Sequence, residues 1–101
     1  MASWSLYIIR TRQNTLYTGI TTDIDKRFAE HSAAGKKGAK YLRAKGPLQL
    51  VYSVSMRSHT LAAKAEHRVK KLTKAQKEKI VVQALSQAEL LSVLKLDGEV
   101  I

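Results

Sequence analysis

Two short runs rich in β-branched and aromatic residues, Trp4 to Thr11 and Thr15 to Thr21, flank the polar triplet Arg12-Gln13-Asn14. Such runs predict strands, and the short turn between them predicts an antiparallel hairpin. Asn14 suits the turn because its side chain tolerates a left-handed backbone. A third run, Leu48 to Met56, alternates and predicts a third strand. Elsewhere the apolar spacing is helical. Ile24, Phe28 and His31 follow a cap at Thr22 or Asp23, with Asp25 in the first turn, and this helix is expected to end before Gly35. Leu61, Ala65, Val69 and Leu72 form an apolar stripe from Thr60 onward. Thr73 to Gln76 and Ser86 to Glu89 both match a capping box. The first should open a helix with Ile80, Val81, Ala84 and Leu85 inward, the second a last helix with Leu90, Leu91, Val93 and Leu94.

The order is therefore β-β-α-β-α-α-α, an α+β fold with a central three-stranded antiparallel sheet flanked by helices. The 101 residues fit one domain, with a core over about 4–82 and a C-terminal helix over about 87–96. No internal repeat or interdomain linker is evident.

Charge changes this picture. The net charge is +10, with 18 Lys and Arg against 8 Asp and Glu. Residues 1–25 are neutral overall, residues 26–79 carry +12 and residues 80–101 carry −2. A surplus this localised is expected of a surface that faces phosphates. Much of it lies in Gly-Lys-Lys-Gly-Ala-Lys-Tyr-Leu-Arg-Ala-Lys-Gly (35–46), read as a flexible basic loop or a short irregular helix, with Lys36, Lys37, Lys40, Arg43 and Lys45 as nucleic-acid-binding candidates. The chain has no cysteine, which excludes disulfides, thiolate metal sites and cysteine nucleophiles. No apolar stretch approaches the ~20 residues needed to cross a bilayer. No basic segment precedes a hydrophobic run at the N-terminus, so a cytoplasmic location without membrane partners is expected.

Candidate chemistry is sparse. Phosphate-binding glycine loops and zinc-binding HExxH are absent from the sequence. Of His31, His59 and His67, only His31 invites attention, one helical turn beyond Arg27. Glu66 is the lone carboxylate between Glu30 and Glu78. It can serve as an ion-pair partner for Lys70 at i+4, or hold a single divalent cation completed by waters and a substrate phosphate. Tyr7 and Tyr17 can be packing aromatics, or they can act on water at a phosphate. Their unperturbed pKa near ~10 is awkward for a base, and a neighbouring cation such as Arg27 would favour the phenolate. Whether the two tyrosines share a face depends on a register that the sequence leaves open.

Five motifs in order resemble the GIY-YIG endonuclease superfamily, most closely its small stand-alone bacterial members of the YhbQ type. Ser5-Leu6-Tyr7 stands in the place of Gly-Ile-Tyr, and Tyr17-Thr18-Gly19 in that of Tyr-Ile-Gly. Residues 23–31 resemble the following helix with its arginine, residues 35–43 the basic loop, and residues 62–73 the helix with the metal-binding glutamate. The likeness spans about residues 4–96. Three departures stand out: the first motif lacks its glycine, Ile20-Thr21 replaces a common lysine, and no asparagine follows the glutamate.

The resemblance implies a metal-dependent, weakly sequence-specific nuclease that hydrolyses phosphodiesters, of DNA rather than RNA, in DNA processing or repair. Carried over by position, Tyr7 or Tyr17 would position and deprotonate water, Arg27 would bind the scissile phosphate, and Glu66 would hold one Mg²⁺ or Mn²⁺. Gly19 would keep the strand end open to the substrate backbone, and His31 would move or orient a proton. A monomer is the default expectation. The alternative is a non-catalytic nucleic-acid-binding module on the same basic surface.

Overall fold

The computed structural model describes residues 3–33 and 37–98. It contains strands β1 (Trp4–Arg10), β2 (Leu16–Thr21) and β3 (Gln49–Met56), and helices α1 (Ile24–Ser32), α2 (His59–Lys70), α3 (Lys74–Gln83) and α4 (Gln87–Val93). The expected α+β order is thus observed. The strands form one antiparallel sheet in the order β2-β1-β3.

Because β1 is central, both of its faces are covered, and Leu6 to Ile9 are all buried. Leu6 and Ile8 point to one face, where they join Tyr52, Met56, the α2 residues Leu61, Ala62, Ala65 and Val69, and apolar residues of α3 and α4. Tyr7 and Ile9 point to the other, where Leu42, Tyr17, Phe28, Leu48 and Leu50 pack on them. The β1–β3 register shifts between Ile8, opposite Tyr52, and Ile9, opposite Leu50. The extra residue, Val51, lets Tyr52 and Leu50 serve different faces.

Local signals act as their chemistry predicts. Asn14 takes a positive φ of 64° in the hairpin turn. Of the two cap candidates for α1, Asp23 accepts from the Lys26 backbone N–H at 3.1 Å. Both capping boxes form, around Thr73–Gln76 and Ser86–Glu89. Arg10 on β1 grips Glu78 on α3 with two hydrogen bonds of 2.7 Å.

Two inward assignments are corrected. Ala84 does not continue the α3 stripe. The helix ends at Gln83, and Ala84 takes left-handed angles of φ 48° and ψ 55°. That reversal buries Leu85, whose carbonyl accepts from Tyr52 Oη at 2.6 Å. Val93 is 53% exposed, because α4 is short and the chain turns at Lys95 (φ 61°) to bury Leu96 instead.

Candidate active site

The site begins at the pairing of β1 with β2. Tyr7 lies opposite Gly19 and Ile9 opposite Tyr17, so both tyrosines emerge on the face that α1 covers. Their ring centroids are 6.4 Å apart. An ideal Cβ at Gly19 would fall 2.5 Å from Tyr7 Cζ and closer still to Oη. The ring of Tyr7 therefore lies across the strand in the space where a side chain would stand. Gly19 thus makes room for Tyr7.

His31 closes the cluster from the last turn of α1. It is 2% exposed, with its ring 5.9 Å from Tyr7 and 5.6 Å from Tyr17. Its Nε2 lies 2.9 Å from Tyr7 Oη, and its Nδ1 accepts from the Ala39 backbone N–H at 3.0 Å. Burial, reinforced by the positive charge of Arg27, lowers the pKa of His31 below the ordinary 6.5. The ring is neutral at physiological pH, which suits orientation of Tyr7 better than supply of a positive charge.

Arg27, one turn earlier on α1, donates to Glu30 Oε1 at 3.1 Å and to the Lys37 carbonyl at 2.5 Å. It is also near enough to Tyr7 to favour the phenolate through hydrogen bonding and charge. That influence does not prevail. Burial, followed by the proximity of Tyr17, raises Tyr7 to about 12. Arg27 acts on Tyr7 in the expected direction, favouring the phenolate, but loss of solvation on burial outweighs it in the folded protein.

Glu66 stands on α2, in the layer on the other face of the sheet. Helix α2 packs mainly on β2 and β1, and the Glu66 carboxylate is near enough to Tyr7 to disfavour its ionisation. Glu66 also pairs with Lys70 at 3.4 Å, the i,i+4 contact expected from spacing. Among the described residues no three His, Asp or Glu side chains gather as a ligand set. A lone, partly exposed carboxylate fits only an ion that retains waters and takes substrate oxygens, as Mg²⁺ does.

Of the basic candidates, Lys36 lies outside the described residues. Lys37, Lys40 and Arg43 are exposed. Lys45 donates to Gln13 Oε1 at 3.2 Å and stands 4.9 Å over the Tyr41 ring. From Lys37 onward the segment folds around one 3₁₀ turn, Lys40–Leu42, pinned by fully buried Leu42. Tyr41, passed over in the sequence, is 47% exposed and stacks on Tyr17 at 6.0 Å. Its signal was an aromatic residue interleaved among lysines, a pattern suited to stacking beside a phosphate chain.

Residues 3–79 match the sequence profile of the GIY-YIG catalytic domain, so the chain belongs to that nuclease family. It is 53% identical over 95 residues to the UPF0213 protein YhbQ of Escherichia coli K12, covering 94% of this chain and 93% of the relative. YhbQ of Shigella boydii serotype 18 is 52% identical over the same length. The solution NMR structure of the UPF0213 protein BH0048 from Bacillus halodurans is 34% identical and superposes with a TM-score of 0.54, covering 89% of this chain and 94% of the other. No helix among the described residues is long and apolar enough to cross a membrane.

Proposed function

We propose that this chain is a hydrolytic nuclease of weak sequence specificity that cuts nucleic-acid phosphodiesters, DNA in preference to RNA, with a divalent cation held at Glu66. One observation carries the reading: Tyr7 Oη is met at 2.9 Å by His31 Nε2 and acted on by Arg27, beside the ring of Tyr17. A packing tyrosine needs a single hydrogen-bond partner. A ring nitrogen at hydrogen-bond distance and a nearby guanidinium instead suit an oxygen that must carry negative charge to act as a base.

In this reading Tyr7, or Tyr17 beside it, orients the attacking water and takes its proton. To do so the tyrosine must first be ionised, the form that Arg27 favours and that a hydrogen bond from His31 would support, and it becomes a neutral phenol once it has taken the proton. Arg27 exchanges Glu30 and the Lys37 carbonyl for the scissile phosphate, and its charge complements the charge that develops there. A cation bound at Glu66 would supply Lewis-acid stabilisation of the phosphate oxygens. Lys37, Lys40 and Arg43, with Lys36 and Lys45, hold the flanking backbone, a contact that carries little sequence information.

The alternative is a binding module that does not cut. The pKa of Tyr7, near 12, and the internal ties of Arg27 favour it. A substrate panel with and without Mg²⁺ or Mn²⁺ separates the two, comparing the wild type with Tyr17→Phe and Arg27→Ala. Metal-dependent cutting that both substitutions reduce supports the nuclease. Salt-sensitive binding without cutting supports the module.

A further inference from the structure

The basic segment after α1 meets the site through its backbone as well as its charges. Gly38 is buried, and a Cβ there would lie 2.8 Å from the Glu30 carbonyl oxygen and 3.0 Å from His31 Cα. Only a residue without a side chain lets the segment lie this close to the last turn of α1. The close approach delivers two contacts at once: the Lys37 carbonyl to the Arg27 guanidinium, and the Ala39 N–H to His31 Nδ1. An amide N–H can only donate, so the Nδ1 it meets must be the unprotonated nitrogen of a neutral ring. The ring proton is then on Nε2, 2.9 Å from Tyr7 Oη.

We infer that Ala39 is a positioning residue: its backbone N–H fixes His31 in the Nε2–H tautomer, so that His31 donates to Tyr7 and leaves the Tyr7 hydroxyl proton free to point into the site. The inference deepens the nuclease reading and rests on it for its catalytic consequence. Its structural part stands separately. With the other tautomer, the bare Nε2 would accept from Tyr7, draw the phenol proton away from the site, and place a donor against the Ala39 N–H. The same bond means that His31 cannot serve as the base for Tyr7 while the segment is seated. Its role is to hold the phenol and stabilise the phenolate.

The test is ¹⁵N NMR of the labelled wild-type protein near neutral pH, read together with an Ala39→Pro variant. Ala39 has φ −62° and ψ 136°, angles that proline adopts, so the substitution removes the donor, and its ring Cδ, standing where the amide hydrogen pointed at His31 Nδ1, pushes the segment and the imidazole apart. In the wild type, the expected result is a protonated Nε2, a bare Nδ1, and a scalar coupling across the hydrogen bond between the Ala39 amide nitrogen and Nδ1. In Ala39→Pro the ring should become a mixture of tautomers, and kcat should fall roughly 10- to 100-fold with little change in KM. A protonated Nδ1 in the wild type, or no coupling across that bond, overturns the inference, and neither reading requires the variant to fold. A folded Ala39→Pro that keeps the Nε2–H tautomer overturns it as well. The spectra do not depend on cleavage, so a protein that never cuts but shows the expected tautomer contradicts the nuclease reading and leaves Ala39 in its positioning role.

Discussion

Tyr7 fills the place beside β2 that a side chain on Gly19 would occupy, and this cross-strand pair sets the phenol against His31. Gly19→Ala should therefore displace the ring. The expected loss is about 1–3 kcal/mol of stability, the usual cost of overpacking a buried site, with cleavage lost alongside. Urea denaturation measures the first. In a Tyr7→Ala background the same substitution should cost almost nothing, since the clash has been removed.

Burial of His31 makes stability depend on pH with a definite sign. Its folded pKa lies below the ordinary 6.5, so its contribution is intact above that value and is lost as the pH falls below it, where the unfolded chain takes up the proton more readily. Protonation also removes the acceptor for Ala39. Denaturation midpoints measured from about pH 8 down to about pH 5 should decline more steeply in the wild type than in His31→Asn.

The clasp between Arg10 and Glu78 holds α3 to the central strand away from the site. Hydrogen bonds from Arg10 lower the Glu78 carboxyl to about 2. Its contribution is present above the ordinary carboxyl pKa of 4.5 and should fade as the pH drops from there towards about 2. Arg10→Ala should cost about 1–2 kcal/mol by chemical denaturation. Per-molecule cleavage by the folded fraction should be unchanged.

Binding should report the basic segment. Neutralising Lys37 and Lys40 together should weaken affinity for duplex DNA and reduce the slope of log affinity against log salt by about 2, close to one per phosphate contact. Fluorescence anisotropy across a salt series measures this. An unchanged slope would remove these lysines from the interface.

Much of the fold was legible because its signals are local. The hairpin turn at Asn14 and the boxes at Thr73 and Ser86 depend on residues within a few positions of each other, and each formed as the sequence suggested. What was not legible depends on partners far along the chain. The shared face of Tyr7 and Tyr17 follows from strand register, which spacing within either strand does not encode. The contact of Ala39 with His31 depends on how closely Gly38 lies on α1. Ala84 and Val93 were misread because a helical projection assumes that the helix continues. Arg27 beside Tyr7 was legible as a motif, yet the balance between its charge and the burial of the phenol required the packed structure.

The central claim is that Glu66 and Tyr7 belong to one metal-dependent hydrolytic site. The most direct test is the single-turnover cleavage rate of purified wild type, Glu66→Ala and Tyr7→Phe on the same DNA with saturating Mg²⁺. The account predicts measurable cutting by the wild type that chelation abolishes, and a drop of at least about 100-fold in each variant, comparable to losing one transition-state contact. Wild type and Glu66→Ala cutting at the same rate would contradict it.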